Sequence, residues 1–293
     1  MSRVYKIDRF IFKQQGERAM FIKCLVENTS ISQEYKAKHG LSIYIETAKH
    51  KILFDLGPNG LFLENAKKLG IDIKDIDTVV ISHGHADHGK GLKTFMENNH
   101  TAKIYLTKTA FDKHYIKVCG IPFSVGLDES LKESNQIVLT DENCEIDDEL
   151  ILFSNVKNRK LFSTANKKLL AKYDGRLAED VFEHEHYLIV REKGNDVLFT
   201  GCSHNGIVNI IEKYYEMNAN KKLAYVIGGF HLFNPTSKKY ESDDLITSIA
   251  KELCALDSKF YTCHCTGTKA YQIMKKEMKD KLDYLSTGMV VEL

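Results

Sequence analysis

His83-Gly84-His85-Ala86-Asp87-His88 directly follows the apolar run Thr78-Val79-Val80-Ile81-Ser82, and this junction decides how the chain is read. Three imidazoles and a carboxylate fall within six residues. Neutral imidazoles and carboxylates are ligands that zinc, manganese and iron share. In an extended loop side chains alternate with period two, so His83 and His85 point to the same side. Asp87 and His88 come after the chain has begun to turn and can face a second ion. The order predicts one ion on the His-x-His pair and another on the Asp-His pair. Without a ligand, four such groups at the end of a buried strand would lose water with nothing to offset the loss.

On either side of the hexad, strand signals alternate with helical ones. Phe21–Val26 and Leu41-Ser42-Ile43-Tyr44-Ile45-Glu46 read as strands, the latter forming a hairpin with Lys51-Ile52-Leu53-Phe54-Asp55 across Ala48-Lys49-His50. Residues 61–69 and 89–98 read as helices, and Lys103-Ile104-Tyr105-Leu106 as the next strand. Residues 108–180 mix short apolar pieces with polar stretches and read as strands plus an insertion covering the site. Tyr187-Leu188-Ile189-Val190 and Val197-Leu198-Phe199-Thr200 form a second hairpin. Ile207, Ile210, Ile211, Tyr214 and Tyr215 recur at helical spacing. Strands ending at Ile227 and Thr262, a helix marked by Leu245, Ile249 and Leu253, and a terminal Met289-Val290-Val291-Glu292-Leu293 strand complete the pattern. Histidines stand just beyond strand ends at 83–88, 204, 231 and 264. Such ends share one rim only if the strands lie side by side.

Global properties exclude some classes. The chain has 293 residues with 41 basic and 40 acidic side chains, so no charge excess points to nucleic acid or a membrane surface. No apolar run reaches the length of a membrane span. Met1-Ser2-Arg3-Val4-Tyr5-Lys6 lacks a signal-peptide core, and seven scattered cysteines fit a reduced compartment, so a cytoplasmic protein is expected. One continuous domain over residues 1–293 is the simplest reading.

Two ions about 3.5–4 Å apart can bridge a water and lower its pKa toward about 7. The hexad supplies too few ligands for that, and His204 and His264, each on a small-residue turn after a strand, are the best additions. These segments, with Asp55-Leu56-Gly57, Gly201-Cys202-Ser203-His204-Asn205-Gly206, Gly228-Gly229-Phe230-His231 and Cys263-His264-Cys265-Thr266-Gly267, resemble the metallo-β-lactamase superfamily. Within it the chain is similar to the dihydropterin-methyl-aminobenzene ribofuranosyl-phosphate synthase-like branch, from Lys38-His39-Gly40-Leu41-Ser42 to the terminal strand. The resemblance implies an α/β fold, a four-layer αββα sandwich with a dinuclear site between its sheets. It implies His83, His85 and His204 around one ion, Asp87, His88 and His264 around the other, and Asp55 orienting the hexad. Many members carry a bridging Asp where this chain has Cys202, which either ligates or packs.

Other histidines carry alternatives. His184 and His186 compete with His204 for the first ion, His39 reaches toward the rim, and His50, His100 and His114 read as solvated. Cys263 and Cys265 alternate away from His264 into the core. Asp87 and His231 are the candidate catalytic residues. The expected activity is hydrolysis of an anionic small molecule with two divalent ions, zinc first and manganese or iron also accepted. A phosphoester is favoured over a carboxyl ester. Two rivals stand: a non-catalytic metal-binding regulator, and a serine hydrolase using Ser203 with Asp257 and His264.

Overall fold

The computed structural model describes residues 20–219 and 221–293; the N-terminal residues 1–6 read for a leader lie outside the described residues. Two seven-stranded sheets form its centre. The first runs Val290–Glu292, Phe21–Val26, Ser42–Glu46, Lys51–Phe54, Thr78–Val80, Lys103–Thr107, Ile137–Thr140. The second runs Leu282–Tyr284, Lys259–Thr262, Leu223–Gly228, Asn195–Phe199, Tyr187–Glu192, Leu150–Phe153, Asn143–Glu145. In the first, the strands from Lys51–Phe54 to Ile137–Thr140 are parallel. In the second, Asn195–Phe199, Leu223–Gly228, Lys259–Thr262 and Leu282–Tyr284 are parallel.

Strand alternation explains the layering. Ile43, Ile45, Ile52 and Phe54 share one buried cluster with Leu188, Val190, Val197 and Phe199 of the other sheet. Tyr44 and Leu53, one residue out of phase, join Phe62 and Ala66 of helix Leu61–Lys68 and Leu92 and Phe95 of helix Leu92–Asn98. On the far side Ile189, Leu198, Val226 and Phe260 are covered by helices Ile207–Met217, Asp243–Cys254 and Thr268–Met278. The order is helices, sheet, sheet, helices: an αββα sandwich. Helices and the partner sheet cover both faces of each sheet's centre, so a strand such as Thr78–Val80 is buried throughout. Each fully buried Ile, Leu, Val or Phe contributes about 1.5–3 kcal/mol, so this layering dominates the stability.

Two local features differ from the reading above. The helix expected over 89–98 is two helices, Ala86–Gly89 and Leu92–Asn98, broken at Lys90 and Gly91. The first begins inside the hexad, which places Asp87 and His88 on a helical turn. Residues 108–180 also do more than one thing: they add Ile137–Thr140 to the first sheet and Asn143–Glu145 and Leu150–Phe153 to the second. They also build a four-stranded antiparallel sheet from His114–Val118, Ile121–Ser124, Leu169–Tyr173 and Arg176–Glu179.

Candidate metal centre

Asp55, the hexad, and the turns at 200–206, 229–231 and 263–267 all follow the carboxyl ends of parallel strands. The two sheets meet on that edge, where His186 N–H donates to the Ser82 carbonyl at 2.9 Å. Asp55, Ser203, His231 and His264 hold φ values of 62°, 58°, 49° and 48°. Non-glycine residues in this left-handed region cost about 1–3 kcal/mol each, and such strain gathers at functional sites.

His83, His85 and His204 are buried, and their ligand nitrogens lie within 4.8 Å of one another. The Nε2 atom of each is buried without a hydrogen-bond partner. For His83 and His204 the neighbours explain why these are lone pairs. Asp55 accepts from Ser82 N–H and Oγ–H at 2.7 and 2.8 Å, so Ser82 Oγ accepts the His83 Nδ1 proton at 2.9 Å. Asn166 donates its amide to the His204 carbonyl at 2.8 Å, so its Oδ1 accepts the His204 Nδ1 proton at 3.0 Å. Burial first, then neighbouring imidazoles, holds His83 and His204 well below the usual histidine range; for His85 the causes are burial, then His184. Three neutral imidazoles aiming bare nitrogens at one point fit a divalent cation.

The second group lies beside the first, with the His83 and His88 ring centres 4.2 Å apart. His88 Nδ1 faces Asp55 Oδ2 at 2.6 Å, and His264 Nδ1 faces Asn28 Oδ1 at 2.9 Å. Their Nε2 atoms are 3.2 Å apart, and Asp87 Oδ2 stands 3.3 Å from His264 Nε2 and 3.8 Å from His88 Nε2. Burial opposes charge on both His88 and Asp87. For His88 the Asp55 and Asp87 carboxylates outweigh it, raising the imidazole to about 9; for Asp87, His88 and His264 pull the carboxyl well below its usual range. A cation at the meeting point of these three groups would replace that proton. Cys202 Sγ is 3.1 Å from His88 Nε2 and reaches both groups, lying within 4.8 Å of His83 and His88 and of His204 and His231. The cluster opens to solvent beside Asp87 and His39; the latter's Nε2 is 3.3 Å from Asp87 Oδ2.

The remaining candidates separate. His184 accepts from Gly84 N–H at Nδ1 and faces Asp180 with Nε2, while His186 Nε2 donates to the Ile81 carbonyl. In this geometry neither offers a free nitrogen beside His85, whereas His204 does. His231 is buried with both ring nitrogens unpartnered, and its ring centre is 4.2 Å from that of His204. Beside it, a Cβ on Gly229 would run into Cys265 Sγ. Cys263 packs in the inter-sheet core, but Cys265 belongs to the centre, grouped with Cys202 and His264, because the short helical turn His264–Thr266 breaks the expected alternation. His50 and His114 are not solvated as expected: His50 bridges Asp77 and Asp147, and His114 is buried against Asp180. Ser203 Oγ donates to the Gly229 carbonyl at 2.7 Å, and Asp257 is exposed beside Lys222, so no serine triad forms.

Comparisons with known proteins place the chain in a family. A family model described as the metallo-beta-lactamase superfamily matches residues 36–154. The uncharacterized protein MJ0448 of Methanocaldococcus jannaschii is 32% identical over 275 residues, 92% of this chain and 99% of its own. The 7,8-dihydropterin-6-methyl-4-(beta-D-ribofuranosyl)-aminobenzene-5'-phosphate synthase of the same organism is 30% identical over 272 residues, 87% of this chain and 90% of its own. The crystal structure of Tm1679, a metal-dependent hydrolase of the beta-lactamase superfamily, superposes with a TM-score of 0.79 at 32% identity, covering 94% of this chain and 99% of Tm1679.

The chain belongs to the metallo-β-lactamase superfamily. Members of this superfamily hold divalent metals, and the histidines, cysteines and Asp87 gathered here could do so. Among the described residues of this superfamily member, no helix is long and apolar enough to cross a membrane. Several residues around the centre escaped the sequence reading. Glu27 accepts from His264 N–H at 2.7 Å, and Glu185 accepts from His204 N–H at 2.7 Å and Asn205 N–H at 2.9 Å. Glu27 and Asn28 follow a strand end, the same signal that marked the histidines. Asn166 and Asp180 sit in polar stretches with no local signal.

Proposed function

We propose that this protein is a metal-dependent hydrolase of phosphoesters, with ions held by His83, His85 and His204 and by Asp87, His88 and His264. The observation that carries the reading is the set of three buried, unpartnered Nε2 atoms abutting a second ligand group across the His83–His88 contact. Zinc is the leading choice of metal, with manganese and iron compatible with the same ligands. Ions bound there would supply Lewis acidity and ionise water near neutral pH.

The chain's own groups do the rest. Asp55, Asn28, Asn166 and Ser82 hold the ring tautomers so that each Nε2 faces inward. Asp87 lies at the solvent opening, where one carboxylate oxygen can orient the attacking water. His231, unpartnered and buried, donates to the oxygen that gains charge as the ester breaks. Phosphoesters are favoured because the synthase relative is named for a 5'-phosphate compound. That same name favours one second reading, in which the centre transfers a group between phosphorylated substrates rather than to water.

The test is a screen of phosphodiesters, phosphomonoesters and carboxyl esters with the metal-depleted protein reconstituted with zinc, manganese or iron. Turnover of a phosphoester that needs added metal, and that falls about 100-fold or more in His85→Ala and Asp87→Ala, is expected. Unchanged metal content and turnover in both variants would sink the proposal.

A further inference from the structure

Behind the first ligand trio lies a buried relay that the hydrolytic reading does not use. Gly84, between ligands His83 and His85, donates its amide proton to His184 Nδ1 at 2.9 Å. An amide N–H can only donate, so His184 carries its own proton on Nε2, which faces Asp180 Oδ2 at 3.0 Å. His114 Nδ1 approaches the same oxygen at 3.2 Å, and its ring packs on His184 with centres 3.9 Å apart. Asp180 Oδ1 accepts the Phe182 amide at 2.7 Å. Asp180, His184 and His114 are all buried, and the His184 ring centre is 5.1 Å from that of His85. Only glycine fits at position 84, since a Cβ there would strike the Ala110 carbonyl and stand 2.9 Å from the His114 ring.

The placement of charge makes this more than packing. Burial opposes ionisation of Asp180, yet His184 and His114 outweigh it and hold the carboxyl well below its usual range. Its ion-pair partners among the described residues are these two imidazoles, with no Lys or Arg. A buried carboxylate of this kind is costly unless a cation stands close.

We infer that Asp180, acting through His184, is a positioning residue for the ion held by His83, His85 and His204: it anchors the Gly84 amide between two ligands and supplies a buried countercharge to the cation. Residues 108–180 thereby take part in the centre rather than merely bordering it. The inference rests on the reading that this trio holds an ion, but not on the reaction catalysed.

The experiment titrates the metal-depleted protein with zinc and with cobalt(II) against a competing chromophoric chelator. Asp180→Asn should weaken the trio's ion by about 10- to 100-fold and alter the visible spectrum of the cobalt form. His184→Gln should act in the same direction, and it serves if Asp180→Asn does not fold. The loss should vanish in a His85→Ala background and persist in Asp87→Ala. Unchanged affinity and spectrum in the single variants, or equal weakening in both backgrounds, overturns the inference while leaving the metal centre standing. A wild-type protein that takes up no ion, or whose uptake ignores His85→Ala, overturns the trio reading and this inference together.

Discussion

Asp55 Oδ2 and His88 Nδ1 meet at 2.6 Å with both side chains fully buried. The same carboxylate accepts Ser82 N–H and Oγ–H, so one residue orients two imidazoles, His88 directly and His83 through Ser82. It follows a strand of the first sheet and ties the hexad loop to that strand's end. Asp55→Ala should leave three buried donors unmatched and destabilise the fold by about 3 kcal/mol or more. Urea unfolding of the metal-depleted protein measures this apart from ion binding. Asp55→Asn keeps one good acceptor and should retain more of the stability.

His231 combines a strained backbone with a ring that has no partner, which suits a group waiting for substrate. His231→Gln should lower kcat by about 100-fold while leaving bound metal unchanged. Metal analysis beside steady-state kinetics separates the outcomes. Loss of metal with loss of rate would instead make it a ligand, alongside Cys202 and His204.

Cys202 lies within reach of both ligand groups, and burial raises its thiol well above the ordinary value. A neutral thiol offsets less cationic charge than a carboxylate would. Cys202→Asp should therefore retain more divalent metal through dialysis than the native protein does. Equal or poorer retention would show that the sulfur already serves as a ligand or that the pocket cannot seat the carboxylate.

His50 ties the sheets together at the hairpin turn, with Nδ1 3.0 Å from Asp77 and Nε2 2.7 Å from Asp147. Burial opposes its charge, but the contacts with Asp77 and Asp147 prevail and raise its pKa above 6.5. Folding therefore favours the protonated form. The contribution is complete below the unfolded value of about 6.5 and disappears as pH rises through the raised folded value. His50→Gln should cost about 1 kcal/mol at pH 6 and little at pH 9, seen as thermal midpoints that converge with rising pH in the metal-depleted protein.

Much of the fold was legible because it rests on local patterns. The hairpin at 48–50 is written in its turn residues, the helix face of Ile207, Ile210, Ile211 and Tyr214 in a period of 3.6, and the strand before the hexad in an unbroken run around Val79, Val80 and Ile81. The break at Lys90 and Gly91 was not legible, since 89–98 continues a helical pattern. Cys265 departs from strand alternation because the turn that carries it is helical.

The sequence by itself determined which chemical groups are available and where each enters. Histidines directly after strand ends must share a rim once those strands are parallel neighbours. Only the tertiary structure decided which nitrogen of each ring is free. That depends on acceptors far away in the chain: Asn28 lies 236 residues from His264, and Asn166 lies 38 from His204. The same long-range contacts leave His204 bare and commit His184 to Gly84 and Asp180, although both histidines stand beside the same strand ends. A residue's type is a local property, while the direction of its lone pair is set by whichever neighbour the fold brings to its other nitrogen.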